Sequence, residues 1–246
     1  MSIAAVCITH NRPGLLSQAV RMFQLQSCPD KEMLIFDDCG QYESGRIAEN
    51  IRVVSIRQVF ASLGTVRNLA VRMTDADHVA IWDDDDVYFP WHLDACAHAL
   101  DSSDWAGPSV VWDQWKPDEL ILSKTTSRTT PQDICYHGSW CYRRAAFEKV
   151  RGYPDTAVGD SDCEFARRLF AHYGPPGDTV SDLFPDPSYL YSRDRSKTWH
   201  ASEVADDAML TIRNAEAPYV GRLVPARPEA YMRGLPIHAN VEARRW

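Results

Sequence analysis

The sharpest chemistry in the 246-residue chain is the run Ile81-Trp82-Asp83-Asp84-Asp85-Asp86-Val87. Four successive carboxylates repel one another, and taking them out of water makes the repulsion worse. A solvated acidic turn or a helix cap is the bland reading of such a run. Here the run follows His78–Trp82, which reads as a buried strand, and that favours a divalent cation that removes the repulsion. Hard oxygen ligands suit Mg2+ or Mn2+, which takes one or two carboxylates and leaves positions for phosphate oxygens. Strand alternation puts Asp83 and Asp85 on one face and Asp84 and Asp86 on the other, so an Asp-x-Asp pair is the natural ligand set. A second carboxylate lies downstream. Asp162, Phe165, Ala166 and Leu169 are spaced i, i+3, i+4, i+7, which predicts a helix over 162–172 with Asp162 on its inward stripe. The alternative for Asp162 is a first-turn acid favoured by the helix dipole, a capping position that Asp160 fits better.

The elements that must position these groups alternate. Ile3–Thr9 is a continuous apolar run, as in a strand buried on both faces. Asn11 fits a cap and Pro13 a first turn, followed by the helical stripe Leu16, Ala19, Val20, Phe23. Met33–Phe36 and Val53–Ile56 read as strands, and Val66, Leu69, Ala70 and Met73 as a second helical stripe before His78–Trp82. The rhythm predicts an α/β fold with a largely parallel, doubly wound sheet and helices on both faces. In such sheets ligands bind beyond the carboxyl ends of the strands. Three of those ends are polar: Thr9-His10-Asn11, Asp37-Asp38 and Asp83–Asp86. After Asp104 the rhythm gives way to short β-like pieces rich in Trp and a polar stretch, Ser123–Thr130, read as a mobile loop. Residues 1–205 are expected to form one domain, made of a 1–104 half and a 105–205 half. Residues 206–246 read as a helix and a Pro-punctuated extension.

Composition excludes several classes. With 26 basic and 34 acidic residues the net charge is −8, which argues against bulk nucleic-acid or anionic-membrane binding. No apolar run reaches the length of a membrane span, and Met1–His10 lacks the layout of a secretion signal. The seven cysteines are scattered and never spaced C-x-x-C, so a reduced cytoplasmic setting is expected.

Five blocks in order carry a resemblance: Val6–Arg12 (VCITHNR), Leu34–Gly40 (LIFDDCG), Ser62–Ala70 (SLGTVRNLA), Ala80–Pro90 (AIWDDDDVYFP) and Gly138–Leu169 (GSWCYRRAAFEKVRGYPDTAVGDSDCEFARRL). Over residues 3–170 the chain resembles the family 2 glycosyltransferases, nucleotide-sugar enzymes of the GT-A fold. The resemblance implies that Thr9 and Asp38, with Asp37 beside them, hold the nucleotide base, usually uracil. It implies Arg67 near the donor nucleotide, with residues 1–104 as the nucleotide-sugar-binding half and 105–205 as the acceptor and catalytic-base half. Asn11, Arg12 and Trp140 complete the expected substrate-binding set. Asp83 and Asp85 match the metal-binding Asp-x-Asp, Asp85 being the direct ligand, and Asp84 lies near the ribose or sugar. Asp162 matches the catalytic base, with Asp160 as fallback. His10 replaces the more usual Tyr, and Ser161 the acidic residue before the base. His200 falls where related folds sometimes place a third metal ligand, although a lone His is more often packed or at the surface. Trp112, Trp115 and Trp140 suit stacking on a sugar or base, or else the core.

These readings together predict a metal-dependent, inverting glycosyltransferase that uses Mn2+ or Mg2+ and a UDP-sugar. The acceptor hydroxyl belongs to a glycan, a lipid-linked glycan, a protein or a modified DNA base. For DNA the sequence offers a basic strip of Arg143, Arg144, Lys149 and Arg151 with the Arg-bearing tail. A sugar-phosphate nucleotidyltransferase would need a Gly-rich phosphate loop where this chain reads THNRPG. A non-catalytic carbohydrate-binding or nucleotide-binding scaffold of the same fold would be suggested by loss of Asp85 or Asp162, and both are present.

Overall fold

The computed structural model describes residues 1–116, 119–124, 130, 136–155 and 161–192. Chain order begins β1 (Ile3–Thr9), α1 (Pro13–Gln24), β2 (Lys31–Asp37), β3 (Gly45–Ala48), β4 (Ile51–Ser55), α2 (Leu63–Arg72), β5 (His78–Ile81), β6 (Val87–Tyr88) and α3 (His92–Ser102). It continues with β7 (Trp105–Gly107), β8 (Val110–Lys116), β9 (Glu119–Lys124), a 3-10 turn (His137–Ser139), β10 (Cys141–Arg143), α4 (Arg144–Lys149), α5 (Ser161–Tyr173), β11 (Gly177–Asp178) and β12 (Tyr189–Ser192). Of the stretch Ser123–Thr130 expected as a mobile loop, Ser123 and Lys124 belong to β9. Residues 125–129, Asp160, His200 and the 206–246 extension lie outside the described residues.

Eight strands form the main sheet in the order β11-β7-β10-β5-β1-β2-β4-β3. The pairs β1–β2, β2–β4 and β1–β5 are parallel, and β10 is antiparallel to both β5 and β7. A smaller sheet, β6-β12-β8-β9, packs beside the acidic run. Burial follows the two-residue period of β1. Ile3, Ala5 and Cys7 face α1 and α3, packing on Leu16, Val20, Phe23 and Leu93. Ala4 and Val6 face the opposite core of Val66 and Ala70 on α2 with Phe165, Ala166 and Leu169 on α5. A strand apolar throughout is thus buried on both faces, as its sequence predicts.

Successive strands run from β1 out through β2 to β4, and the chain then returns to β5 on the other side of β1. This reversal opens the crevice between the carboxyl ends of β1 and β5, where doubly wound folds bind ligands. Thr9 ends one strand there and the aspartates continue from the other. At α1, Arg12 rather than Asn11 occupies the cap position, and it makes no side-chain cap bond. Asn11 lies one residue earlier at φ +54, the left-handed region that Asn tolerates better than most residues.

Candidate active site

Strand β5 ends at Ile81, so the aspartates do not continue the alternating strand path expected for them. They form a turn into β6 instead, and each carboxylate finds different neighbours. Asp84 is buried, accepting from the Thr9 hydroxyl at 2.7 Å and from Arg12 Nη1 at 2.8 Å. The same Arg12 nitrogen donates to Asp85 at 3.0 Å. Asp86 is buried facing away from Arg12: it accepts from the Tyr189 hydroxyl and from Ser192 N at 2.9 Å, which ties the turn to β12. Asp83 is placed through its backbone, whose N–H donates to the Tyr88 hydroxyl at 2.7 Å. That hydroxyl donates in turn to the Gly138 carbonyl at 3.0 Å, while the Tyr88 ring stacks on Trp82 at 3.9 Å. A Cβ on Gly138 would lie 2.7 Å from an Asp83 oxygen and 2.9 Å from one of Asp86, so no larger residue fits beneath the turn as it stands.

Burial pushes the Asp83 carboxyl up to about 7; Arg67 opposes this, and Asp85, Asp162 and Asp84 add to it. Asp84 is raised by burial in spite of Thr9 and Arg12, and Asp86 lies well above the carboxylate range through burial and the charges of Asp85 and Asp83.

The second carboxylate reaches the crevice from the other core. Ser62 caps α2 by accepting from Thr65 N at 3.1 Å, and the Ser62 and Thr65 hydroxyls both donate to Asp155. The Asn68 carboxamide pairs with both backbone groups of Tyr153, each at 2.8 Å, which laces α2 to the segment before α5. This lacing sets Arg67 against the first turn of α5, where Nη1 donates to Asp162 at 2.5 Å and to the Ser161 hydroxyl at 3.2 Å. The Arg67 guanidinium lies 5.5 Å from the Tyr153 ring centre. Burial would raise the Asp162 pKa, but Arg67 outweighs it, aided by His137 and the Ser161 hydroxyl, and holds Asp162 well below the usual range. His137 lies beside this pair, its Nε2 2.9 Å from the Tyr153 hydroxyl and its Nδ1 buried without a hydrogen-bond partner. Burial, reinforced by Arg67, pushes His137 down to about 3.

Several residues named from sequence have other surroundings. The Thr9 side chain is turned onto Asp84 rather than open to the crevice. Trp140 is only 2% exposed and packs edge-on against Trp105 and His137, so it stands in the core rather than as a stacking platform. Trp112 packs against the core too. Asp38 pairs with His10 at 2.5 Å on the crevice rim, and Asn11 accepts from the Gln41 carboxamide. Two members of the basic strip are engaged elsewhere, whereas Lys149 and Arg151 are exposed and the Arg-bearing tail lies outside the described residues. Arg143 donates to the carbonyls of Leu100 and Asp101 at the end of α3, and Arg144 to those of Val71, Thr74 and Ala76 at the end of α2. Cations at helix C-termini satisfy orphan carbonyls and the dipole. Arg143 also pairs in register with His78, at the opposite end of β5 from the aspartates.

Sequence reasoning missed Tyr88, Asp86, Gly138 and His137 as builders of the site, and it gave Asp37 too small a part. Asp37 is fully buried and accepts from Cys39 N, Gln41 N and the Ser55 hydroxyl. An Asp two residues before a turn ending in Gly40 is a local signal for such a backbone-capping role. Among the described residues no three His, Cys, Asp or Glu side chains are gathered so as to hold a metal ion. The carboxylates of Asp83 and Asp85 do suit an ion such as Mg2+ or Mn2+ that takes few protein ligands and completes its shell with phosphate and water.

A central parallel sheet with an acidic turn at its switch point, flanked by helices and a small second sheet, defines the GT-A class of glycosyltransferases. The sequence profile of Glycosyl transferase family 2 matches residues 5–170, more than half of the chain, and the protein belongs to that family. No curated protein matches it by sequence. Among solved structures, residues 1–349 of S. aureus TarS superpose with a TM-score of 0.62 at 17% identity, covering 78% of this chain and 60% of that one. The same TarS region in complex with UDP-GlcNAc gives 0.60 at 16% identity, covering 87% of this chain and 66% of that one. The mannosyltransferase PcManGT from Pyrobaculum calidifontis, in complex with GDP-Man and Mn2+, gives 0.55 at 16% identity, with 88% and 65% covered. At these identities the likeness concerns the fold. No helix among the described residues is long and apolar enough to cross a membrane.

Proposed function

We propose that the protein transfers a sugar from a nucleoside diphosphate donor, a UDP-sugar, to an acceptor hydroxyl with inversion at the anomeric carbon. The observation that carries this reading is the Arg67 guanidinium, which holds Asp162 at 2.5 Å while its charge opposes the raised pKa of Asp83. Two carboxylates from two elements thus share the influence of one guanidinium, which supports giving them different roles. Asp83 and Asp85 are the residues that would hold the divalent ion, Mn2+ or Mg2+. When bound, such an ion neutralises the diphosphate as it leaves.

The chain's own groups supply the rest. Asp162 stays ionised beside Arg67 and accepts the proton of the incoming hydroxyl as it attacks opposite the diphosphate. A single base with in-line attack inverts configuration. Asp38 and the β1–α1 loop form the rim where the nucleotide base would be held, with Asp37 buried beneath it. UDP is favoured by the TarS complexes with UDP and UDP-GlcNAc, and GDP-Man in the mannosyltransferase is the competing donor. The acceptor is a glycan, lipid-linked glycan or protein hydroxyl. A modified DNA base is the weaker alternative, because Arg143 and Arg144 bind helix carbonyls while Lys149 and Arg151 stay exposed. Cysteines that are scattered and never spaced C-x-x-C support a reducing compartment such as the cytoplasm.

Calorimetric titration with UDP, GDP and their sugars, each with and without Mn2+, tests the reading. Binding of UDP that strengthens with Mn2+ supports it. Absence of nucleotide binding under all conditions would turn it toward a carbohydrate-binding scaffold.

A further inference from the structure

The geometry points to Arg12 as a built-in counter-cation of the acidic turn, which must release Asp85 before the turn accepts a divalent ion and thereby makes ion and nucleoside diphosphate bind cooperatively. This deepens, and rests on, the reading of the crevice as a nucleotide site. One nitrogen, Nη1, bridges Asp84 at 2.8 Å and Asp85 at 3.0 Å, and the Arg12 and Asp85 side chains are only 15% and 18% exposed. Asp84 is held from its other side by Thr9, so Asp85 is the carboxylate that can change partner.

Arg12 is not a waving surface arginine. The backbone just before it is pinned, since Asn11 N donates to Cys39 Sγ and the Asn11 carboxamide accepts from Gln41. The backbone just after it is pinned as well, because Leu16 N donates to the Arg12 carbonyl at 2.9 Å as α1 begins. The side chain therefore leaves from a fixed point at the mouth of the crevice.

Two cations cannot share Asp85 closely without strong repulsion in a partly buried site. A divalent ion arriving alone must displace the guanidinium from Asp85, leaving it paired with Asp84 and short of a second anion. A nucleoside diphosphate supplies that anion, because the guanidinium fork matches phosphate oxygens. The favourable coupling is then a property of Arg12, and linkage makes it the same factor for ion and nucleotide.

The test is calorimetry of Mn2+ alone, UDP alone and Mn2+ at saturating UDP. It compares the unmodified protein with Arg12→Gln, Arg12→Met, which keeps the apolar stem, and Arg46→Gln, which removes a distant charge near Glu49. Either neutral replacement of Arg12 is expected to bind Mn2+ alone about 10-fold tighter and to lose most of the UDP-dependent gain, in the range of ordinary coupling factors. Arg46→Gln is expected to behave like the unmodified protein. Unchanged or weaker Mn2+ binding by both Arg12 variants, with UDP coupling intact, overturns the inference alone. Failure of the unmodified protein to bind Mn2+ or UDP, singly or together, overturns the nucleotide reading and this inference with it.

Discussion

Arg67 on α2 and Asp162 at the start of α5 meet at 2.5 Å across 95 positions of sequence. The pair joins two helices that pack on the same face of the sheet, and Arg67 is buried while the Asp162 side chain keeps 29% of its exposure. Removing one partner of a buried pair leaves the other charge uncompensated, which typically costs about 3–5 kcal/mol, against at most about 1 kcal/mol for a surface pair. Arg67→Met is therefore expected to lose about 3 kcal/mol in urea unfolding. A loss under about 1 kcal/mol would show that the pair behaves as a solvated one.

Under the proposed reading the same pair sets the pH dependence of transfer. Because Arg67 holds Asp162 well below the usual carboxylate range, Asp162 stays ionised throughout neutral and mildly acidic pH, though less basic than a free carboxylate. The sign of its linkage is that of any depressed carboxylate: it stabilises the fold above its unfolded pKa of roughly 4, and that stability is lost as pH falls through the folded value. Transfer at saturating donor should show no acid limb from this residue above about pH 4. Arg67→Gln should introduce one, moved upward by burial that is no longer opposed. An identical acid limb in both proteins would point to a different base.

Asp162→Asn tests the assignment of the base directly. A positioned general base contributes about 10^2–10^4 in rate, and the amide keeps the shape while losing the accepting charge. UDP binding should persist within a few-fold, because Asp162 lies at the start of α5 rather than in the acidic turn. Near-normal transfer by this variant would shift the role to Asp160.

How much of this was legible in the sequence depends on how local each signal is. The apolar run of β1 and the spaced stripes of α1, α2 and α5 report burial through their own period, so strand, helices and the inward side of Asp162 could be read directly. The fate of the four aspartates could not, because alternation says nothing about where the ladder ends. The strand stops at Ile81, and the turn beyond it is shaped by Tyr88 and by Tyr189, whose hydroxyl meets Asp86 across 103 positions. The arginines after β10 read as a basic strip because their partners are backbone carbonyls, which carry no sequence signal. Trp140 has the right place in the chain for a ligand platform, but the ring turns into the space beside Trp105.

Gly138 and Tyr88 provide a geometric test of the acidic turn. Gly138→Ala puts a methyl group into the space now bordered by oxygens of Asp83 and Asp86, and such overpacking typically costs about 1–3 kcal/mol. Tyr88→Phe keeps the stack on Trp82 but leaves Asp83 N and the Gly138 carbonyl without their hydroxyl partner. Both variants should weaken Mn2+-dependent UDP binding more than metal-free UDP binding. Equal weakening of the two would mean that the turn positions the nucleotide rather than the ion.

His137 should leave its mark on stability rather than on the rate. Its Nδ1 is buried without a partner, and a proton added there would gain no acceptor while standing near the Arg67 charge. Burial, with Arg67 adding, lowers its pKa to about 3; Asp162 pulls the other way but is itself held by Arg67. The unfolded chain takes up this proton near pH 6.5, so between about 6.5 and 3 the unfolded state binds more protons than the folded one. Stability must then fall as pH drops through that window, at up to about 1.4 kcal/mol per pH unit from this one group. Urea midpoints from pH 7 to 5 should fall more steeply for the unmodified protein than for His137→Gln, which does not titrate. Parallel slopes would mean that His137 protonates in place, and that the crevice admits water to Nδ1.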